Sequence, residues 1–324
     1  MKALRVERLT DDLSGVALTD IAMPEPGPDE VLVRVRASSL NYPDLLMTRG
    51  AYQFKPEPPF TSGMELAGEV VSAPDGSSLP VGQAVMGGAK TGGFAEYVAL
   101  PARAVRPIPP GMDFASAASL GTAYTTAWTA LVEQGGLREG QWVLVHGASG
   151  GVGLAACDLA RALGARVIAA THDAAKVDLI RDAVSPEAVI VNRGRFREDV
   201  AELTGGALCD LVYDPVGGDV FDESTRCVAF GGKLLVIGFV AGRIPEIAVN
   251  IPLIKGFSIV GVRAGEFARR FPERGAAIAA EIARLAGKGV IRPIIDRVLP
   301  LKRWRVGFDA MAGGQLVGKV VFEP

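Results

Sequence analysis

Cysteine is scarce in this chain, with three among 324 residues, and none stands near another. Cys157, Cys209 and Cys227 lack the Cys-x-x-Cys spacing of a structural zinc site, and isolated thiols build no disulfide framework. This usage predicts a reducing compartment and a cytoplasmic location. Histidine is scarcer still: His146 and His172 are the two present, so residues 1–140 offer neither N nor S ligands to a catalytic zinc. An excess of either charge is also missing. Lys and Arg number 34 against 36 Asp and Glu, a formal −2, without the basic stripe that nucleic-acid binding needs. Long apolar runs are absent as well. Charge interrupts Met1-Lys2-Ala3-Leu4-Arg5-Val6-Glu7-Arg8, which predicts no signal peptide. The uncharged stretch from Phe114 to Val132 carries Ser116, Ser119, Thr122, Thr125 and Thr126, too polar for a bilayer. It reads as a pair of buried helices or a pocket wall.

What the chain does have is the composition of a globular protein, 49% hydrophobic and 22% charged, and length enough for two domains. Residues 1 to about 110 read as short strands, such as Val31–Arg36 and Leu66–Val71, separated by turn formers such as Pro24-Glu25-Pro26-Gly27-Pro28-Asp29. That texture suggests a barrel-like domain. After Pro109-Pro110-Gly111, apolar strands alternate with helices: 142–146, 166–171, 211–214, 233–238 and 257–262. Unbroken apolar strands between helices predict a parallel sheet covered on both faces, an α/β fold. A helical stretch from Gly265 to Lys288 follows, and the strand-like tail Val317–Phe322 matches the first domain in texture.

The most informative segment joins the strand Trp142–His146 to a helix through Gly147-Ala148-Ser149-Gly150-Gly151-Val152-Gly153. Strand, glycine turn, amphipathic helix and second strand in this order form a dinucleotide-binding unit, because a pyrophosphate must approach backbone N–H groups where a Cβ would block it. Ser149, Gly150, Gly151 and Val152 are the expected phosphate contacts. The second strand ends Ala169-Ala170-Thr171 with Lys176 five residues on, where NAD-binding chains place a carboxylate for the ribose hydroxyls. A hydroxyl tolerates a 2′-phosphate and a lysine attracts it, so NADP(H) is the expected cofactor. Arg193 and Arg195 follow the third strand, 188–191, and reach the same phosphate or belong to a solvated loop.

Ser39-Leu40-Asn41-Tyr42-Pro43-Asp44, Pro59 to Gly68, Gly121 to Trp128, Val145 to Leu154, Gly231-Gly232-Lys233 and Gly318-Lys319-Val320-Val321 occur in an order and spacing that resemble one family. That family is the zinc-independent quinone oxidoreductase branch of the medium-chain dehydrogenase/reductase superfamily. The resemblance implies a chaperonin-10-like (GroES-like), β-rich substrate domain from residues 1–120 and 265–324. It implies a Rossmann doubly wound parallel-sheet domain from 121–264, and a homodimer, or a tetramer, paired through the strand near 257–262. Zinc-dependent relatives carry a Cys near the start of the Asn41–Asp44 segment and a Gly-His-Glu motif. Here Asn41 and Gly63-Met64-Glu65 stand instead, so no metal is expected.

The resemblance thus implies hydride transfer from NADPH to an acceptor that needs no metal, a quinone or an α,β-unsaturated carbonyl. It puts Asn41 at the nicotinamide–substrate junction, although a turn asparagine reads the same way. Tyr52 matches a pocket tyrosine that donates a hydrogen bond or proton, or is a packing residue. Thr126 faces the nicotinamide amide or ribose. Val216, Gly238, Phe239, Asn250 and Lys319 match cofactor contacts. Arg193 stands where the family has an aromatic residue after Asn192, which strengthens its assignment to the phosphate. An acryloyl-CoA-type enoyl-thioester reductase and a non-catalytic, crystallin-like NADPH-binding protein share the same sequence features and stand as alternatives. Neither nucleic acid nor membrane is an expected partner.

Overall fold

Val31, Val33 and Val35 are buried while Arg34 between them is exposed, the alternation that makes 30–39 a strand with one face on a core. The computed structural model describes residues 1–324, which divide into two compact units, Met1–Thr122 with Ile295–Pro324, and Ala123–Ile294. The first unit opens with β1 (Lys2–Val6), β2 (Val16–Asp20), β3 (Glu30–Ser39), α1 (Tyr42–Thr48), β4 (Phe60–Thr61), β5 (Glu65–Ser72), β6 (Ala84–Gly88), β7 (Tyr97–Pro101) and β8 (Val105–Pro107). Helix α2 (Phe114–Trp128) follows, and the division between the units falls inside it.

The second unit alternates β9 (Trp142–Val145), α3 (Gly151–Ala162), β10 (Arg166–Thr171), α4 (Val177–Val184), β11 (Ala188–Val191), α5 (Arg197–Leu203), β12 (Cys209–Asp214), α6 (Gly218–Ser224), β13 (Val228–Val236), α7 (Asn250–Lys255) and β14 (Ser258–Gly261). Helices α8 (Ala264–Arg270) and α9 (Pro272–Gly287) close it. The chain then returns to the first unit as β15 (Ile295–Pro300), α10 (Trp304–Ala312) and β16 (Lys319–Glu323).

All pairings in the second unit are parallel, in the order β11-β10-β9-β12-β13-β14. The order reverses between β10–β9 and β9–β12, the switch point at whose carboxyl edge open α/β sheets bind ligands. In the first unit, β3 pairs antiparallel with β5, β7 and β16, so the returning tail is built into the main sheet. A second sheet, β2-β1-β4, packs its Leu4 and Val6 into an apolar cluster with Phe94, Phe308 and Phe322. This is the expected pair of GroES-like and Rossmann units.

Three expectations need correction. The return to the first unit lies at Ile295 rather than at 265, because α8 and α9 cluster with the second unit. The helical stretch 265–288 is two helices, since Pro272 lacks the N–H to continue α8 and holds Phe271 at φ −126°, ψ 70°. Residues 114–132 form a single long α-helix that widens into a π-helical turn over Thr129–Gln134. Lys233 Nζ stabilises that turn by donating to the carbonyls of Gln134 and Gly135, each at 2.9 Å. No helix is long and apolar enough to cross a membrane.

Candidate active site

The turn after β9 is shaped by backbone geometry. Gly147 has φ +58°, a left-handed conformation that a Cβ disfavours. Gly153 packs so closely beneath it that an added Cβ would lie 2.2 Å from the Gly147 carbonyl oxygen. Helix α3 begins at Gly151 with Gly150 as its N-cap, and no side chain caps it. The first-turn N–H groups of Gly151 and Val152 therefore lack the side-chain acceptor that Ser, Asp or Asn would supply, which fits them to an anionic pyrophosphate. Ser149 is buried beside them.

At the end of β10, Thr171 is buried and its Oγ1 accepts from Asp173 N at 3.2 Å, which leaves the hydroxyl proton to donate. Asp173 turns away into a cap, accepting from Ala175 N at 3.1 Å. Arg193 Nε donates to the His172 carbonyl at 2.6 Å, so the guanidinium crosses from the end of β11 to the end of β10. Lys176 is 5% exposed, folded down rather than extended into solvent. Thr171 and Arg193 are thus brought together, with no carboxylate reaching for a ribose. Arg195 is exposed.

Behind this edge lies a buried polar chain. His146 Nε2 meets Ser224 Oγ at 2.8 Å and Nδ1 meets Asn192 Nδ2 at 3.0 Å. Ser224 already donates to Val220 O at 2.6 Å, so the imidazole carries its proton on Nε2 and accepts at Nδ1. Burial depresses the His146 pKa to about 3, so the ring is a neutral strut tying β9, β11 and α6. The arrangement has the outline of a hydrolytic triad, but all three side chains are buried and Ser224 is closed to substrate. Asp214 ends β12 and accepts from Val216 N and Gly217 N at 2.8 and 3.0 Å, which sets the turn carrying Val216. Gly238 N approaches the Asp214 carbonyl at 3.4 Å and Phe239 is 40% exposed, so both lie beside that turn. Thr126 is half-buried on α2, whose Tyr124 donates to Asp158 of α3 at 2.5 Å.

Asn250 lies in the connection between β13 and β14. It stands exposed at the head of the short helix α7, and its side chain has no hydrogen-bond partner. Val262 and Arg263 leave β14 at the carboxyl edge of the sheet, and Val262 N donates to Val236 O at 2.9 Å.

In the first unit, Asn41 and Lys319, both expected as cofactor contacts, come together. Lys319 Nζ lies 2.6 Å from Asn41 Oδ1 and 3.0 Å from Glu65 Oε1. Asn41 Nδ2 donates to Glu65 Oε1 at 3.0 Å and to Ser39 O at 3.2 Å. Glu65 Oε2 accepts from Thr122 N at 2.8 Å. Both ends of the Asn41 amide and the Lys319 charge are spent inside this unit, where Asn41 is 4% and Lys319 5% exposed. Asp44 accepts from Asn41 N at 2.8 Å; burial, with the Glu65 charge nearby, raises its pKa to about 7 against the pull of Asn41 N–H and Lys319. Tyr52 is half-buried and packs with Tyr42, Phe54 and Met64 on the apolar cluster.

Two family profiles match the chain. One, described as an alcohol dehydrogenase GroES-like domain, covers residues 27–110, and the other, described as a zinc-binding dehydrogenase, covers 151–281. The donor set here does not fit zinc. Asn41 Oδ1 and Glu65 Oε1 already converge on an ammonium, Met64 packs against the apolar cluster, and the three thiols are buried in the second unit. No group of three or more His, Cys, Asp or Glu side chains gathers for a metal. Among relatives, a quinone oxidoreductase-like protein 2 homolog of Nematostella vectensis is 37% identical over 250 residues, covering 76% of this chain and 68% of that protein. A probable oxidoreductase from Mycobacterium abscessus has 36% identity and a TM-score of 0.91, over 100% of this chain and 99% of its own. A mycobacterial protein solved in complex with NADPH has 28% identity and a TM-score of 0.92, with 100% of both chains covered. On this fold, this turn and these relatives, the chain belongs to the quinone oxidoreductase branch of the medium-chain dehydrogenase/reductase superfamily.

Proposed function

We propose that this oxidoreductase reduces a quinone or an α,β-unsaturated carbonyl with NADPH, and does so without a metal. The observation that carries the reading is the end of β10, where Thr171 offers a hydroxyl, Arg193 is anchored on the His172 carbonyl, and the neighbouring Asp173 carboxylate is taken up by Ala175 N. A carboxylate there would repel a 2′-phosphate; a guanidinium recruits it through charge-assisted hydrogen bonds. The uncapped first turn of α3 would hold the pyrophosphate, and Val216, Gly238 and Phe239 would flank the nicotinamide end. A structural relative that binds NADPH supports the same cofactor.

NADPH bound there supplies a hydride to an activated carbon of the acceptor. The chain's own part is to orient the reactants, exclude water and stabilise charge on the conjugated oxygen. Tyr52, half-buried with Phe54 and Met64, offers a phenolic O–H for that oxygen, and Thr126 orients the nicotinamide side. The test is steady-state oxidation of NADPH and of NADH with 9,10-phenanthrenequinone, 1,4-benzoquinone, an alkenal and acryloyl-CoA. The expected result is turnover of quinones or the alkenal with NADPH preferred. Turnover confined to acryloyl-CoA indicates an enoyl-thioester reductase instead, and NADPH binding without any turnover indicates a non-catalytic binder.

A further inference from the structure

Helix α7 of the second unit is short, and it leaves an open cleft of about 640 Å³ between itself, α6 and the connection that follows β13. Small-ligand pockets run to roughly 300–1,000 Å³. One side of the cleft is apolar: Phe221 of α6 is buried, and Ile247 and Ile251 pack with it on the core beneath. The other side is cationic. Arg197 comes from the start of α5, Arg226 from just past α6 and Lys255 from the last turn of α7. These charges are largely uncommitted. The side chains of Arg226 and Lys255 form no ion pair, and the carboxylate oxygens nearest Arg197, on Glu223 and Glu198, stand at 3.9 and 4.0 Å, too far for hydrogen bonds. Of the acids on the wall, Asp222 is engaged by Arg243, and Glu246 stands exposed. Positive charge is therefore in excess. Burial and the Glu223 carboxylate push the Cys227 thiol up to about 12, and the Lys255 and Arg197 charges pull against them, so cations from α5 and α7 converge on the end of α6. Like charges gathered beside an apolar floor repel one another. An anion with an apolar body relieves that repulsion and covers the floor at once.

We infer that this cleft is a second ligand site, for a small amphiphilic anion whose carboxylate or phosphate-ester head is held by Arg197, Arg226 and Lys255 while its apolar body lies on Phe221, Ile247 and Ile251. Each guanidinium offers paired N–H donors to two oxygens of the head, and the ammonium adds a point charge. Both parts of the ligand are needed. A neutral alcohol leaves the cations unanswered, and inorganic phosphate leaves the floor uncovered. The cleft is built on α6 and α7, whereas the uncapped turn that would hold the pyrophosphate belongs to β9 and α3. The two ligands therefore bind independently, and the site does not depend on the hydride-transfer reading.

The experiment titrates octanoate, octyl phosphate, 1-octanol and inorganic phosphate calorimetrically into the wild-type chain, with and without saturating NADPH, and into Arg226→Gln/Lys255→Gln. Melting temperatures establish that the variant folds. Octanoate or octyl phosphate is expected to bind one site per chain, with 1-octanol and inorganic phosphate each weaker by about tenfold or more, the scale of a lost charge-assisted hydrogen bond or of a buried apolar body. The double variant should lose about tenfold in affinity for the amphiphile, with NADPH Kd unchanged. The tighter of the two heads identifies the source, an acyl carboxylate or a phosphate ester. Failure of both amphiphiles to bind up to about 10 mM overturns the inference, as does 1-octanol binding as tightly as octanoate. Displacement of the amphiphile by NADPH also overturns it, by placing the anion in the nucleotide cleft. So does a folded double variant that binds as the wild type does. If neither amphiphile binds and the double variant shifts the oligomeric state in light scattering, the cleft belongs to a contact between copies of the chain and the inference fails. Should the double variant not fold, Arg226→Gln alone, at an exposed position, decides on the same titration: weaker amphiphile binding supports the site and unchanged binding overturns it.

Discussion

Asp44 and His146 are buried titratable groups whose effects on stability have opposite signs. The folded pKa of Asp44 is raised from 3.8 to about 7, so the native state holds a proton that the unfolded chain releases; its contribution is present at low pH and is lost as pH rises from about 4 to 7. The folded pKa of His146 is lowered from 6.5 to about 3, so its contribution is present above 6.5 and is lost as pH falls toward 3. In the shared window each group alone would tilt stability by about 1.4 kcal/mol per pH unit, and the two tilts cancel. Asp44→Asn should therefore expose the His146 slope, with stability rising between pH 4 and 6.5 in urea titrations. A variant profile parallel to that of the wild type would contradict these assignments. Arg193 carries the second prediction at this scale. Arg193→Ala should weaken NADPH binding by about tenfold, the loss of a charge-assisted hydrogen bond, and leave NADH unaffected; equal losses for both nucleotides would remove the phosphate role.

At the scale of elements, helix α3 is the part on which most depends. Its N-terminus meets the Gly147 carbonyl so closely that Gly153→Ala must displace backbone, since the new Cβ would sit 2.2 Å from that oxygen. We expect that substitution to cost about 2 kcal/mol or more and to weaken both nucleotides together, because the phosphate turn moves with the helix. Nucleotide titrations and thermal melts check both outcomes. Further along α3, Asp158 receives Tyr124 O–H at 2.5 Å and Arg292 N at 2.9 Å, tying α2 and the segment after α9 to one carboxylate. Burial raises the Asp158 pKa, and Tyr124→Phe leaves the carboxylate a single partner. The expected destabilisation is about 1–3 kcal/mol, read by denaturant titration, without a change in NADPH affinity.

For the whole molecule, the sheet of the second unit ends in an open strand. β14 pairs only with β13, and the surface near it exposes Phe230, Val249, Leu253 and Ile254 at 89, 83, 81 and 76%. Large apolar side chains exposed beside an unpaired strand edge are an aggregation hazard for a monomer. We propose that a second copy of the chain covers them, β14 lying against its mate. Leu253→Glu with Ile254→Glu should convert the dimer to a monomer by light scattering; a wild type that is monomeric at micromolar concentration would rule the pairing out.

Much of this was written locally in the sequence. Strands β10 and β11 stand at 166–171 and 188–191 as the apolar runs predicted, because a buried parallel strand must be continuously hydrophobic between its helices. The glycine turn was legible for a similar reason: a phosphate-binding turn excludes Cβ atoms, and that exclusion is visible residue by residue. Position 265 misled because the helical pattern there says nothing about which core receives it, a matter of long-range packing that placed the return at Ile295. The deepest dependence on tertiary structure is at Lys319. In the sequence it is a lysine in a glycine-flanked tail, far from Asn41 and Glu65. Only the antiparallel pairing of β16 with β3 carries it to them and buries its charge between their oxygens. The sequence determined which residue types stand in these three segments; the fold decided that Lys319 is buried between the Asn41 and Glu65 oxygens, because charge burial is a property of packing and not of order along the chain.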